Sequence, residues 1–308
     1  MKRDVKRRIA GAPISWGVCE VPGWGCQLTP ERVLKEAYSL GLAAMESGPP
    51  GFLPDDPEAT SKLLGEYDMA LLGGFVTAIL HDEALREAEL AAVERRAKLL
   101  EAGGAEVLVL AAVTGLEGYD EAVELEEPGL RSLFDGIARI EEIAESRGLT
   151  VAVHPHFGTL IERARHVERL LEGSDAGLCL DTGHLAVGGA DPVEVAREYA
   201  GRVELVHLKD VDLNLSNAVA AGTKSYAEAV REGMYRPSGA GDVDLESIIG
   251  FVEGGGYGGW YVLEQDVMLD SEPEGEGPLA DVRKSLEFVE TRLGANAASS
   301  SYGAGGTA

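Results

Sequence analysis

Eight short apolar runs alternate with amphipathic stretches along this chain, and the last four runs each stop on a residue able to ligate a metal. Val151-Ala152-Val153 stops at His154-Pro155-His156. Leu178-Cys179-Leu180 stops at Asp181-Thr182-Gly183-His184. Val203-Glu204-Leu205-Val206 stops at His207-Leu208-Lys209-Asp210, and Tyr261-Val262-Leu263 stops at Glu264-Gln265-Asp266. Runs that are apolar on both faces and rich in β-branched residues suit parallel strands buried on two sides. Four such strands, each delivering an acid or imidazole at its C-terminal end, are how a parallel β/α barrel builds a metal site.

The predicted strands lie near Ile9–Ile14, Ala43–Ser47, Leu71–Thr77, Val107–Ala112, Thr150–His154, Gly177–Asp181, Val203–Lys209 and Tyr261–Gln265. Helical patterns fill the intervals. Thr29-Pro30-Glu31 supplies a cap, a first-turn proline and an early acid, and Val33, Leu34, Ala37 and Leu40 form the apolar face behind it. Further helices are predicted from Asp82 to Gly103, from Leu130 to Ser146, from Asp191-Pro192, from Asp242-Val243-Asp244 and from Pro278 to Leu293. Repeated strand–helix units close either as an open doubly wound sheet or as an eightfold barrel. Eight strands within about 290 residues favour a single α/β domain, a (β/α)8 TIM barrel over residues 1–293. The longest irregular insert, Val211 to Gly241, follows the seventh strand and is expected to form a lid or substrate wall. The Ala-, Ser- and Gly-rich tail, residues 294–308, is expected to be disordered.

Composition excludes several classes of partner. The net charge of −26 would repel nucleic acid and anionic membranes. No apolar stretch reaches the roughly 18 residues of a membrane span. The basic start, Met1 to Arg8, is followed by too short an apolar run to be a signal peptide, so the expected location is cytoplasmic. The three cysteines, Cys19, Cys26 and Cys179, form no CxxC pair and read as reduced thiols. Gly254 to Gly259 matches GxGxxG, but it follows a helix and precedes a strand, the reverse of a dinucleotide fingerprint.

Strand parity then selects a site. One inward residue from each of strands five to eight gives His154, Asp181, His207 and Glu264. Two imidazoles and two carboxylates suit a divalent ion, with Mn or Co expected first and Zn, Fe or Mg as alternatives. Burying such carboxylates unpaired would cost several kcal/mol, which argues against four coincidental strand ends.

In this order and spacing, the Asp181–His184, His207–Asp210 and Glu264–Asp266 motifs resemble the xylose-isomerase-like TIM barrels, which include sugar isomerases, sugar epimerases and the endonuclease IV group. Within that superfamily the chain is similar to the inosose dehydratases and related inositol-catabolism proteins. Ala12-Pro13-Ile14-Ser15-Trp16-Gly17, Met45-Glu46-Ser47-Gly48, Gly51-Phe52-Leu53-Pro54 and His154-Pro155-His156-Phe157-Gly158-Thr159 add to the likeness, which covers about residues 9 to 293. It implies metal ligation by Asp181, His207 and Glu264 and substrate contact by His184. The isomerases and epimerases usually end their fifth strand in a glutamate, where this chain has His154. That departure shifts the expectation from a two-glutamate epimerase toward a dehydratase.

The activity so implied is dehydration of a keto-polyol such as 2-keto-myo-inositol through an enolate. An isomerase or epimerase of a keto sugar is the first alternative, and a non-catalytic sugar-binding barrel the second. Glu264, His156 or His184 would take the α-proton, and His184 or Lys209 would assist loss of the hydroxyl. Glu46 would bind a substrate hydroxyl or pair with an arginine. Arg236 would contact substrate or pair with acids. Trp16 and Phe75 would pack on the sugar ring or fill the core. The partner is thus a small polyol or keto sugar, leaning toward an unphosphorylated one, and assembly into a homo-oligomer is left open.

Overall fold

The computed structural model describes residues 8–116 and 123–303. Most of the basic start (residues 1–7) and the last five residues of the expected tail (304–308) lie outside them. Its strands are β1 (Ile9–Gly11), β2 (Ala44–Met45), β3 (Ala70–Leu71), β4 (Gly73–Ala78), β5 (Val107–Ala112), β6 (Thr150–Val153), β7 (Leu178–Asp181), β8 (Val203–Leu208), β9 (Asp210–Val211), β10 (Tyr235–Arg236) and β11 (Tyr261–Leu263). Nine of these form one parallel sheet in the order β3-β2-β1-β11-β8-β7-β6-β5-β4. The two ends of that order are halves of one segment, separated only by Leu72. The Leu72 N–H donates to Met45 O beside β3, and Leu72 O accepts from Glu106 N beside β5, so the ring closes. The eight predicted strand positions are all present, with the third split in two.

Helices cover the outside: α1 (Pro30–Leu40), α2 (Pro57–Gly65), α3 (Arg86–Ala102), α4 (Glu127–Glu145), α5 (Ala164–Gly173), α6 (Thr182–Val187), α7 (Pro192–Tyr199), α8 (Leu213–Ala220), α9 (Tyr226–Arg231), α10 (Leu245–Gly254) and α11 (Pro278–Gly303). Thr29 caps α1 as expected, its side chain accepting from Arg32 N. Asp191 and Asp244 do the same for α7 and α10. The last helix runs on through the predicted tail as far as Gly303. Upstream it is anchored by Val282, Leu286, Val289 and Leu293, which pack into the core.

Alternation sorts each strand into two cores. Ala10, Ala44, Val109, Ala152, Cys179, Leu205 and Val262 come from strands all around the ring yet form one cluster, which only the barrel interior allows. Their neighbours, among them Leu108, Leu110, Val153, Leu180 and Leu208, pack outward against α-helical residues such as Val33, Leu34, Ile137 and Ile248. Each fully buried aliphatic side chain there contributes roughly 1.5–3 kcal/mol.

The insert after β8 is not irregular. It holds α8, α9 and the antiparallel pair β9–β10. Asp212 and Ser225 cap the two helices. Trp24, Phe157, Val211, Tyr226, Val230 and Tyr235 give it a small core of its own over the C-terminal end of the barrel. The Asp210 carboxylate accepts from the N–H groups of Gly239, Gly241 and Val243 at 2.9, 2.9 and 3.1 Å, which pins the returning loop.

Candidate active site

Parity fixes which strand-end side chains meet. Ala152, Cys179, Leu205 and Val262 point inward, so His154, Asp181, His207 and Glu264, two residues on, point inward one layer higher. All four are buried. His154 Nε2 lies 3.1 Å from Asp181 Oδ2. His207 Nδ1 lies 3.6 Å from the same oxygen and 3.2 Å from Glu264 Oε2. Asp181 and His207 are direct partners across β7 and β8.

Asp181 divides its carboxylate between two tasks. Oδ1 accepts from His184 N at 2.7 Å and caps α6, leaving Oδ2 for the imidazoles. The motif's other residues serve Lys209. Thr182 Oγ1 donates to Lys209 O at 2.7 Å and accepts from Lys209 N at 2.9 Å. A Cβ on Gly183 would lie 2.8 Å from Lys209 Cβ and Cγ, so glycine lets the lysine stem lie flat against α6.

The buried Lys209 ammonium lies 2.9 Å from Glu264 Oε2, 2.9 Å from Asp266 Oδ1 and 3.3 Å from Asp181 Oδ2. Burial alone would lower its pKa, but the three carboxylates more than offset this and hold it well above the usual lysine range. Burial would likewise raise Asp181 and Glu264. Lys209 and the neighbouring imidazoles hold both carboxyls well below the usual range instead. Asp266, whose Oδ2 accepts from Tyr226 OH at 2.8 Å, is pushed up by burial against the pull of Lys209. His207 Nε2 meets Glu46 Oε1 at 3.0 Å, so Glu46 is engaged with an imidazole rather than an arginine.

A cavity of about 290 Å³ opens above this cluster, near the lower end of small-molecule sites. His154, His156, His207, Lys209, Glu264 and Asp266 reach it, with Glu46, Phe75, Trp24 and Tyr226 in its walls. The His156 ring is 3.9 Å from that of His184, centroid to centroid. His156 Nδ1 meets Phe157 O at 2.7 Å. Burial, with His154 and Lys209 nearby, pushes His156 down to about 3, so its imidazole is neutral. His184 is held well below the usual range, chiefly by burial, and does not line the cavity.

Besides His184, two residues considered for the substrate do not line the cavity and take the alternative places named for them, Trp16 in the core and Arg236 paired with an acid. Trp16 is fully buried and donates from Nε1 to Glu36 Oε2 at 2.8 Å. Strand β1 stops at Gly11, and a short 3-10 helix, Pro13–Trp16, turns the indole into the core. Arg236 pairs with Asp212 at 3.0 Å on the outer side of the insert. Trp24 and Tyr226 take the wall positions. Nothing in the local sequence marks Trp24, whereas Asp266 shares strand parity with Glu264.

The donor set fits a divalent ion. Three overlapping triads bring their donor atoms within 4.8 Å of one another: Glu46, His207 and Glu264; His154, Asp181 and His184; and His154, Cys179 and His207. Each triad contains two of the four predicted ligands, and His154 and His207 each belong to two triads. Ligand atoms about 2.0–2.2 Å from an ion sit roughly 3 to 3.5 Å from each other, close to the 3.1 Å of His154–Asp181, the 3.2 Å of His207–Glu264 and the 3.6 Å of His207–Asp181. His207 Nδ1 faces two carboxylate oxygens without a well-aligned hydrogen bond to either. Three buried carboxyl groups, Asp181, Glu264 and Asp266, surround the Lys209 ammonium and a fourth, Glu46, meets His207, so acids outnumber cations at the site and a dication would offset the excess.

A family model described as xylose isomerase-like TIM barrel matches residues 34–292. An inosose dehydratase of Geobacillus kaustophilus (strain HTA426) is 30% identical over 294 residues, covering 92% of this chain and 94% of that protein. The structure of an L-ribulose 3-epimerase superposes with a TM-score of 0.69 at 15% identity, covering 98% of this chain and 99% of that one. The IOLI protein with a bound zinc atom superposes with a TM-score of 0.69 at 13% identity, covering 93% and 99%. At those identities the two solved structures speak for the fold alone. Among the described residues no helix is long and apolar enough to cross a membrane.

Proposed function

This chain belongs to the xylose isomerase-like TIM barrel family, and from that membership we propose that it is a metal-dependent lyase removing water from a keto-polyol of the 2-keto-myo-inositol kind. The observation that carries the reading is the convergence of His154, Asp181, His207 and Glu264 beneath a cavity lined by His156 and Lys209. The likeness to an inosose dehydratase supports the substrate class. The zinc atom of the IOLI protein supports an ion in this fold.

His154, Asp181, His207 and Glu264 would hold the ion. When bound, it supplies a Lewis acid that polarises the substrate carbonyl and makes the α-proton removable. Two other side chains have the right state and place for the proton transfers. His156 is neutral and lines the cavity, and donation from Nδ1 to Phe157 O makes Nε2 its basic nitrogen. Lys209 keeps its proton and also lines the cavity, so it can protonate the departing β-hydroxyl. Glu264 is occupied by Lys209 and His207, which suits a ligand better than a base. His184, packed behind His156, orients that ring.

Incubation with 2-keto-myo-inositol and Mn or Co tests the reading. The product is expected to be lighter by one water. A product of unchanged mass would assign an isomerase or epimerase, and recovery of unaltered substrate would overturn the lyase.

A further inference from the structure

Glu46 ends β2, and its buried carboxylate meets His207 Nε2 at 3.0 Å although 161 positions separate the two residues. Strands β1 and β11 stand between β2 and β8 in the ring. The contact therefore crosses the barrel mouth, where the small inward side chains of Ala10, Ala12 and Ala44 leave room for it. A neutral imidazole carries one N–H. Once coordination has displaced the ring's second proton, the bond to Glu46 keeps the remaining one on Nε2 and leaves a lone pair on Nδ1, the nitrogen facing Asp181 Oδ2 and Glu264 Oε2.

We propose that Glu46 is a positioning residue that sets the tautomer and orientation of His207 so that Nδ1 is presented as a metal ligand. The inference rests on the metal reading given above. A carboxylate behind a ligating imidazole fixes the ring and raises its basicity, and losing such a partner typically weakens metal binding 10–100-fold. The role differs from contact with a substrate hydroxyl, which would alter KM and leave the ion untouched.

Titration with Co(II), followed by absorbance, of wild type, E46Q and E46A tests it, with circular dichroism to verify folding. E46A is expected to bind Co(II) about 10–100-fold more weakly, and E46Q, which keeps an acceptor oxygen but no charge, to fall between. In the zinc-loaded wild type, heteronuclear NMR of the imidazole nitrogens should find the His207 proton on Nε2. Equal affinity in wild type and E46A, with only KM changed, would overturn the role of Glu46 and leave the metal reading intact. Should E46A not fold, a proton on Nδ1 in the zinc-loaded wild type would overturn it. A wild type that takes up no Co(II) would overturn the metal reading and this role with it.

Discussion

Lys209 places its ammonium 2.9 Å from Glu264 Oε2, an oxygen that also lies 3.2 Å from His207 Nδ1. The same carboxylate thus serves the cationic acid of the proposed reaction and a proposed ligand. Asp181 Oδ2 repeats the arrangement, 3.3 Å from Lys209 Nζ and 3.1 Å from His154 Nε2. An ion and an ammonium sharing two carboxylates are coupled electrostatically, so a change at one is felt at the other.

Lys209→Met removes the ammonium and leaves three buried carboxylates short of a partner. Turnover should fall about 10²–10⁴-fold if Lys209 is the acid. Without added ion, urea unfolding should show a loss of about 3–5 kcal/mol, partly restored by Mn. Unimpaired turnover would remove Lys209 from the mechanism.

Gly183→Ala brings a methyl group to within 2.8 Å of Lys209 Cβ and Cγ. The lysine stem must shift, with an expected destabilisation of about 1–3 kcal/mol. Because the ammonium moves with it, kcat should drop while the fold persists. Thermal melts and steady-state rates check both parts.

Tyr226→Phe deletes the hydroxyl that donates to Asp266 Oδ2 at 2.8 Å and meets Tyr235 OH at 2.9 Å. This hydroxyl ties α9 of the insert to the carboxylate beside Lys209. The expected loss is about 1–3 kcal/mol, read by urea unfolding, and a variant as stable as wild type would contradict it.

Metal uptake should weaken with acid. Burial alone would lower the pKa of His207, but Cys179, Glu264 and Glu46 raise it well above the usual imidazole range. Without an ion, the ring keeps its proton at neutral pH, and coordination through Nδ1 must displace one. The raised pKa stabilises the ion-free fold at low pH, a contribution lost as pH rises through that pKa. Co(II) affinity should therefore fall steadily from about pH 8 to pH 6 with proton release on binding. An affinity indifferent to pH would contradict this.

Much of this arrangement was legible in the residues because a strand has a period of two. Once Ala152, Cys179, Leu205 and Val262 are inside, His154, Asp181, His207 and Glu264 must be inside as well. The choice between sugar ring and core for Trp16 was not open to that rule, because β1 gives way to a 3-10 turn before it and the alternation ends. Arg236 could not be placed because its side depends on the β9–β10 pairing within an insert read as irregular. Glu46 was visible as a strand-end acid, but its partner across the barrel mouth depends on ring closure, which parity within one strand does not encode.

Metal analysis after dialysis against Mn, followed by removal of free ion, tests the central claim most directly. Wild type should retain about one ion per chain, and Asp181→Ala, which loses the oxygen facing both imidazoles, should retain almost none. Wild type without metal, or Asp181→Ala with as much as wild type, would contradict it.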